Sequence, residues 1–178
     1  MIPMIPLIKQ FIGVLNKFMN ELLFKEMTNT EFKRYFADKI QRYSLVLTQN
    51  SFEVNEDVNE KARNQLRNLL PEGIHTNGHY LFNIKHDKQT IGYLWIKEDK
   101  EKKSVFLYEI FIFNEYRNKG YGTRAMKKIE LWMKQHDLLY LKLHVFGNNR
   151  EARKLYENIG FEIAGVNMFK KVNGSNEC

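Results

Sequence analysis

The residues with the clearest chemical potential form a basic, glycine-containing loop, Arg117-Asn118-Lys119-Gly120-Tyr121-Gly122-Thr123. The loop follows a long apolar run, Val105 to Phe113, and precedes an amphipathic segment that begins near Tyr121. Glycines let the backbone turn sharply and approach a ligand closely, and the first N–H groups of a helix have no intrahelical partners. Together with the helix dipole and the Arg117 side chain, these groups favour phosphate. The loop therefore predicts a phosphate-bearing ligand such as a cofactor.

Two familiar phosphate-binding loops do not fit the sequence around these glycines. A Walker P-loop has four residues between its glycines, whereas one residue separates Gly120 from Gly122. The dinucleotide fingerprint Gly-x-Gly-x-x-Gly/Ala fits the letters, with Ala125 as its last member. That fingerprint also requires glycines directly after the strand and an acidic residue about 20 positions later. The charged stretch from Asn114 to Lys119 intervenes here, and the region around Lys142 offers no carboxylate.

Two sequence blocks carry a family resemblance. Ile110 to Gly122 resembles the acetyl-CoA-binding signature of the GNAT superfamily of N-acetyltransferases, in which Arg/Gln-x-x-Gly-x-Gly/Ala follows a buried strand. Asn149 to Phe161 resembles the later Asn-x-x-Ala-x-x-Leu-Tyr-x-x-x-Gly-Phe segment of the same family. The blocks occur in the family's order, separated by one predicted helix and one predicted strand. Asn114 departs from the pattern, since many relatives have proline there, and this difference concerns the stiffness of the loop.

The resemblance implies acetyl-CoA as the cosubstrate and an amine as the acetyl acceptor. It implies that the strand before the loop pairs with the pantetheine arm and that the loop holds the pyrophosphate. It further implies that Asn149 hydrogen-bonds the cofactor near its reactive end and that Tyr156 lies beside the sulfur. The cofactor-binding residues predicted in this way are Ile110, Phe111, Ile112, Arg117, Asn118, Lys119, Gly120, Tyr121, Gly122, Thr123, Asn149 and Tyr156.

Glu109 is the predicted catalytic base. An alkyl amine with a pKa near ~10.4 is mostly protonated at neutral pH, so a base or a water chain must take its proton. Glu109 lies between Tyr108 and Ile110 in an otherwise apolar strand, where desolvation is expected to raise its pKa. The alternatives are a carboxylate turned to the open face of the sheet and paired with a lysine, and a water chain that accepts the proton.

Tyr156 is the predicted catalytic acid. In a helix that starts near Asn149, positions 149, 152, 153 and 156 lie on one side, so Asn149 and Tyr156 can face the same ligand. A phenol at this place can donate its proton to the departing CoA thiolate. The alternative is a tyrosine whose ring fills space between helix and sheet.

Composition limits the classes of partner. A net charge of +7 suits an anionic partner. The lysines and arginines are scattered along the chain, however, and the aromatic stacking motifs of an RNA module are absent from the sequence, so we expect no nucleic acid. The single cysteine, Cys178, gives neither a disulfide framework nor a thiolate metal site and favours a reducing cytoplasm. We expect no metal and no membrane partner.

The elements that must position these residues follow from hydrophobic periodicity. Apolar residues at helical spacing predict an amphipathic helix over residues 7–19, which makes a homodimer one expected outcome. Thr28 and Glu31 resemble a capping box and open a helix over 29–48, and a second helix over 55–70 stops at Pro71. Strands are expected at 22–25, 80–85, 91–97, 104–113 and 138–146, with helices at 121–136 and 149–158.

This order predicts an α/β fold with a mixed sheet, in which an antiparallel meander is followed by a βαβ unit, as in the GNAT acyltransferases. The expected organisation is an N-terminal helical extension (1–20), an acetyltransferase domain (21–173) and a C-terminal tail (174–178). The resemblance leaves the acceptor open among amine-bearing small molecules and peptides. A non-catalytic CoA-binding or regulatory module, holding RNA or a protein, is the alternative function.

Overall fold

The computed structural model describes residues 22–50, 57–168 and 170. The predicted helix over residues 7–19, the extension 1–20 and the tail 174–178 lie outside the described residues. The described helices and strands are β1 (Leu23–Glu26), α1 (Asn29–Asn50), α2 (Val58–Leu69), β2 (His79–His86), β3 (Gln89–Asp99), β4 (Ser104–Ile112), α3 (Tyr121–Gln135), β5 (Tyr140–Leu143) and α4 (Arg150–Asn158). The chain divides after Phe146 into two compact units. The first contains the sheet and α1 to α3, and the second contains α4.

The sheet has five strands in the order β1-β2-β3-β4-β5. The first four pair antiparallel with their neighbours in sequence. β5 pairs parallel with β4, after the chain has crossed over through α3. The predicted meander and βαβ unit are therefore confirmed, and with them the predicted α/β fold class.

Local sequence signals set the ends of α1 and α2. The main-chain N–H of Thr28 donates to Glu31 Oε2 at 2.8 Å, and the N–H of Glu31 donates to Thr28 Oγ1 at 3.3 Å. This reciprocal pair is the predicted capping box. Asp57 caps α2 by accepting from two main-chain N–H groups, and the helix ends before Pro71, as expected from a residue that cannot continue a helix.

The helices of the first unit cover both faces of the sheet. Leu81 and Trp95 pack in one apolar cluster with residues of α1 and α2, among them Tyr35 and Leu66. On the opposite face the ring of Tyr80 meets Trp132 of α3, with ring centroids 5.5 Å apart. Successive side chains of a strand point to opposite faces, so neighbouring positions of β2 serve the two layers. None of the described helices combines the length and apolar character that a membrane crossing requires.

A buried polar contact lies within the α1–α2 face. The indole N–H of Trp95 donates to His79 Nδ1 at 2.9 Å, and the ring of Tyr108 stacks on Trp95 with centroids 4.6 Å apart. Burial lowers the pKa of His79 to about 4, because the charged imidazolium would lose its hydration there. His79 is therefore a neutral hydrogen-bond acceptor of the core.

Candidate active site

β4 continues beyond the end of its parallel partner. The pairing with β5 joins Ser104–Leu107 to Tyr140–Leu143, whereas β4 runs on to Ile112. Within residues 22–50 and 57–168, no strand pairs with this side of β4 beyond Leu107. β5, the last strand of the described sheet, therefore covers only the first half of β4 and leaves the rest of that edge of β4 open.

The main-chain groups on this open edge belong to Ile110 and Ile112. The N–H of Phe113 donates to the carbonyl of Ile91 on β3 at 2.9 Å. Because main-chain groups alternate in direction along a strand, those of Phe111 also point toward β3, and those of Ile110 and Ile112 point away from it. An extended ligand can join such an edge as an added strand. Of the three strand residues predicted to contact the cofactor, Ile110 and Ile112 thus direct their main-chain groups to the open side. The main-chain groups of Phe111 point toward β3.

The loop after β4 leads into α3 through two residues with positive φ. Asn118 has φ of 59°, and Gly120, the N-cap of α3, has φ of 75°. A Cβ built on Gly120 would meet no atom within 4 Å, so the glycine is required for its backbone conformation rather than for space. The N–H groups of Tyr121, Gly122 and Thr123 form the first turn, where a helix has no partner for them. The loop and the first turn of α3 therefore have the backbone conformation that the predicted anion cradle requires.

The side chains of the loop are held by contacts within it and with neighbouring strands. Lys119 Nζ donates to the carbonyl of Glu115 at 2.8 Å. Arg117 Nε donates to the carbonyl of Ile112 at 3.0 Å. The hydroxyl of Tyr116 donates to Gln89 Oε1 at 2.8 Å, which ties the loop to the start of β3. Two cations, on Arg117 and Lys119, therefore stand at the helix N-terminus beside the open strand edge.

The close approach of β3 to β4 depends on Gly92, which was not among the predicted site residues. A Cβ on Gly92 would lie 2.1 Å from the carbonyl oxygen of Phe111, far inside van der Waals contact. Any larger residue would push the two strands apart beside the open edge. A glycine in the middle of a predicted strand is the sequence signal for such a contact.

A β-bulge turns Glu109 toward α1. Trp95 pairs with Glu109 and Ile96 with Leu107, so Tyr108 is the extra residue on β4. The bulge allows two consecutive side chains to face the same layer: Tyr108 packs against the α1–α2 cluster, and Glu109 is bonded to α1. Tyr35 in that helix donates its hydroxyl to Glu109 Oε2 at 2.8 Å.

Two cations complete the surroundings of Glu109. Lys39 Nζ lies 2.8 Å from Glu109 Oε1, and Arg42 Nη1 donates to the same oxygen. Arg42 also bonds Asp38 through Nε at 2.7 Å. The Glu109 side chain is only 8% exposed, so this is a buried ion pair network. Glu109 is thus paired with a lysine, as in one of the alternatives predicted from the sequence, but it faces α1 rather than an open face of the sheet.

The ion pairs reverse the expected pKa shift of Glu109. Burial alone would raise the pKa, but the ammonium of Lys39 and the guanidinium of Arg42 outweigh burial and hold it below the ordinary value of 4.5. The expected rise in the pKa of Glu109 is therefore wrong, because the ion pairs exceed the effect of desolvation. The hydroxyl of Tyr35 shows the complementary effect, because burial and the Glu109 charge raise its pKa well above 10.0. Glu109 is an ionised carboxylate next to a neutral phenol.

The three α1 residues that bond Glu109 were not among the site residues predicted from the sequence. Tyr35, Lys39 and Arg42 recur at positions i, i+4 and i+7, which places them on one side of α1. That polar row runs beside the apolar row of Phe32 and Phe36. Its helical spacing is the signal that could have indicated a buried partner for a carboxylate.

Phe111 lies between two arginines. The guanidinium carbon of Arg42 is 4.0 Å from the Phe111 ring centroid, and that of Arg117 is 5.4 Å away. Cations at these distances from a ring are attracted by its quadrupole. Phe111 thus connects the loop after β4 to the network around Glu109.

The second unit contains the other two predicted site residues. Asn149 caps α4, and its side-chain oxygen accepts from the N–H of Ala152 at 3.2 Å. The amide nitrogen of Asn149 is the group that can donate to a ligand. Tyr156 lies two turns further on the same side of the helix, and burial raises the pKa of its phenol. Its ring lies 5.5 Å from that of Phe161.

A cavity of about 530 Å³ lies elsewhere in the first unit, between β1–β2 and α3. Phe24, Tyr80 and Trp132 are among its walls, and Lys128 extends over the Phe24 ring at 5.8 Å. None of the predicted site residues lines it. In the described ranges, no three His, Cys, Asp or Glu side chains come together as metal ligands would. Most of the predicted cofactor-binding residues lie instead on β4 and in the loop that follows it, up to the first turn of α3.

Known proteins resemble this chain over most of its length. Residues 32–161 match the sequence model of the Acetyltransferase (GNAT) family. The uncharacterized N-acetyltransferase YycN of Bacillus subtilis is 30% identical over 154 residues, which cover 85% of this chain and 99% of that protein. The uncharacterized N-acetyltransferase YdgE of the same organism is 25% identical over 151 residues, covering 83% of this chain and 96% of YdgE.

Solved structures agree with the sequence comparison. The crystal structure of YycN has a TM-score of 0.82 and covers 86% of this chain and 100% of that chain, with 30% identity. The PaiA N-acetyltransferase from Thermoplasma acidophilum, solved in complex with coenzyme A, has a TM-score of 0.62 at 18% identity, with 83% of this chain and 93% of that chain covered. At that identity the likeness shows a shared fold.

Proposed function

The chain belongs to the GNAT family of N-acetyltransferases, and we propose that it moves an acetyl group from acetyl-CoA to a primary amine of a small molecule or peptide, by direct transfer in a ternary complex. Enzymes of this family generally depend on acetyl-CoA. The finer parts of the proposal concern the sites on this chain, the class of acceptor and the way protons move.

The observation that carries the proposal is the open edge of β4, which leads directly to the loop at the N-terminus of α3. The edge presents the main-chain groups of Ile110 and Ile112. The loop presents the first-turn N–H groups of α3, which have no partners within the helix and no side-chain cap, and the cations of Arg117 and Lys119. An edge that accepts an extended amide-bearing arm, followed by an anion cradle, matches the order of pantetheine and pyrophosphate in CoA.

Acetyl-CoA would supply an acetyl thioester at this edge. Ile110 and Ile112 would hold its arm through main-chain hydrogen bonds, and residues Arg117 to Thr123 would hold its pyrophosphate. Asn149 would contribute its amide nitrogen, as the family resemblance implies. A phosphate at the first turn of α3 is further stabilised by the helix dipole.

Tyr156 is the proposed acid. A phenol is protonated at neutral pH, so its proton is available for a leaving thiolate, although burial, which raises the pKa of Tyr156, makes it a weaker donor than an exposed phenol. As a proton donor, the phenol of Tyr156 has an advantage over a water molecule, because α4 holds it in one place.

A water chain that carries the amine proton away to bulk solvent is the proposed route for deprotonation, because both oxygens of Glu109 are already bonded to Tyr35, Lys39 and Arg42. The lowered pKa of Glu109 makes it a weak base at neutral pH, since general bases are most effective with a pKa near the working pH. This supports the water chain among the alternatives derived from the sequence. Glu109 would then act as a positioning residue that fixes α1 against β4 through Tyr35, Lys39 and Arg42.

Direct transfer is supported by the position of the single cysteine. Cys178 lies outside both family blocks. Neither block therefore contains a cysteine that could act as the nucleophile of an acetyl-cysteine intermediate. The acceptor would approach from the side of α1 and α2, where the Glu109 network lies. We propose no narrower acceptor than an amine-bearing small molecule or peptide.

The test is product formation with a panel of amines. The protein is incubated with acetyl-CoA and, in turn, a polyamine, an aminoglycoside, an amino acid and a peptide with a free N-terminus. Chromatography then quantifies CoA release, and mass spectrometry identifies the acetylated amine. We expect at least one amine to raise CoA release above the hydrolysis seen without acceptor, with initial-rate lines that intersect. Failure to bind acetyl-CoA would contradict the proposal, and parallel lines with an acetylated enzyme would contradict direct transfer.

A further inference from the structure

Arg117 makes two contacts with the strand that the proposed donor would use. Its Nε donates to the carbonyl of Ile112 at 3.0 Å, and its guanidinium lies 5.4 Å from the Phe111 ring. The side chain thus folds back from the loop onto the end of β4. Both contacts lie within the first unit, and the guanidinium remains at an exposed position.

The Ile112 carbonyl is one of the groups on the open edge of β4. An amide of an extended arm that joins this edge would compete with Arg117 for that oxygen and for the space beside it. The guanidinium gives up this bond to a neutral carbonyl most favourably when an anion takes the carbonyl's place, because hydrogen bonds between charged groups are stronger than those to neutral ones. A pyrophosphate at the first turn of α3 is that partner.

We propose that Arg117 is a specificity-determining residue that makes the donor site select thioesters carrying a nucleotide pyrophosphate over thioesters of bare pantetheine. This inference rests on the proposed function. With CoA, Arg117 exchanges the Ile112 carbonyl for pyrophosphate oxygens, and the arm takes its place on the strand. With a nucleotide-free thioester, the arm must displace Arg117 without compensation. Discrimination of this kind penalises the wrong ligand as well as favouring the right one.

Lys119 provides a matched comparison within the same loop. Its ammonium donates to the carbonyl of Glu115, three residues beyond the end of β4. Lys119 therefore carries the same charge next to the same helix N-terminus without touching the open edge. Removal of either cation should weaken pyrophosphate binding, whereas only removal of Arg117 should free the strand.

The test measures two dissociation constants by calorimetry, one for CoA and one for pantetheine, in the full chain and in the variants Arg117→Ala and Lys119→Ala. Arg117→Ala is expected to weaken CoA binding by roughly tenfold and to tighten pantetheine binding by roughly threefold or more. Lys119→Ala is expected to weaken CoA binding and leave pantetheine binding unchanged. Both positions are exposed, and circular dichroism confirms that each variant is folded.

In Arg117→Ala the affinity for CoA should fall while the affinity for pantetheine rises. Loss of a simple phosphate contact would not tighten pantetheine binding. Pantetheine binding that is weakened, unchanged or undetectable in Arg117→Ala overturns this inference, and so does a tightening of equal size in Lys119→Ala. Failure of the unaltered protein to bind CoA would instead overturn the proposed function. As a second readout, inorganic pyrophosphate should tighten pantetheine binding to the unaltered protein and not to Arg117→Ala, because the coupling runs through that side chain.

Discussion

The hydroxyl of Tyr35 donates to Glu109 Oε2 at 2.8 Å across 74 residues of sequence. This bond joins the middle of α1 to the residue that follows the bulge in β4. Lys39 and Arg42 bond the other carboxylate oxygen, so both oxygens of Glu109 are bonded to one helix. The strand that forms the open edge is thus anchored to α1 directly beside Ile110.

Replacing Glu109 with Gln should destabilise the fold. The change leaves Lys39 and Arg42 without their shared carboxylate in a place where Glu109 is 8% exposed, and breaking a buried pair costs about 3 kcal/mol. Urea unfolding measures the loss. The control is Asp137→Asn, which breaks an exposed pair with Lys103, with exposures of 79% and 51%, and should cost less than about 1 kcal/mol.

The destabilisation should also depend on pH with a definite sign. The pKa of Glu109 is lowered in the folded protein, so its contribution is present above the ordinary pKa of 4.5 and is lost as the pH falls through the folded value. The difference in unfolding free energy between the protein and Glu109→Gln should therefore shrink below that pH. A difference that is constant down to complete protonation would show that the carboxylate charge is not what stabilises the fold.

Glu109 should not set the acid limb of the pH–rate profile. If water takes the amine proton, kcat/KM of Glu109→Gln keeps the same acid limb as the unaltered enzyme, and the rate falls only through altered positioning. If Glu109 is instead the base, the limb disappears and the rate falls by roughly 10²-fold or more. The measurement is kcat/KM across the acid and neutral range with the best acceptor from the amine panel.

Gly92→Ala should damage the donor strand through the backbone. The added methyl group would lie 2.1 Å from the Phe111 carbonyl, so β3 and β4 must separate, and we expect a loss of roughly 2 kcal/mol or more and weaker CoA binding. Gly147→Ala is the control, because a Cβ there meets no atom within 4 Å. Equal thermal stability and CoA affinity in the two variants would contradict the close approach.

The sequence predicts local features of this fold well. The capping box at Thr28, the helix that starts after Gly120 and the glycine spacing of the loop depend on neighbouring residues, so their signals are complete within a short window. Hydrophobic periodicity adds the order of strands and helices. These signals are sufficient to locate the cradle and the strand before it.

The surroundings of Glu109 could not be predicted in the same way. The bulge at Tyr108 decides which face Glu109 takes, and strand alternation alone does not reveal a bulge. Its partners on α1 precede it by 67 to 74 residues, and no local pattern ties the two segments together. The pKa of Glu109 depends on those partners, so the direction of its shift could not be predicted from the sequence either.

Tyr156→Phe should slow turnover and leave CoA affinity unchanged. Loss of a catalytic acid lowers kcat by roughly 10²-fold, while the ring that remains keeps its packing against Phe161. Because burial raises the Tyr156 pKa, the unaltered enzyme should keep the protonated acid up to a pH above 10.0. Single-turnover kinetics measures the rate of the chemical step, and calorimetric titration measures CoA affinity. A turnover rate that is unchanged in Tyr156→Phe would exclude Tyr156 as the acid.

The central claim is that acetyl-CoA binds along the open edge of β4, and amide hydrogen exchange measured residue by residue by NMR tests it most directly. With saturating acetyl-CoA, the amides of Ile110 and Ile112 should exchange at least tenfold more slowly, since they gain partners, whereas the Phe111 amide, already directed to β3, should change little. Absence of acetyl-CoA binding, or binding that leaves the exchange of Ile110 and Ile112 unchanged, would contradict the account.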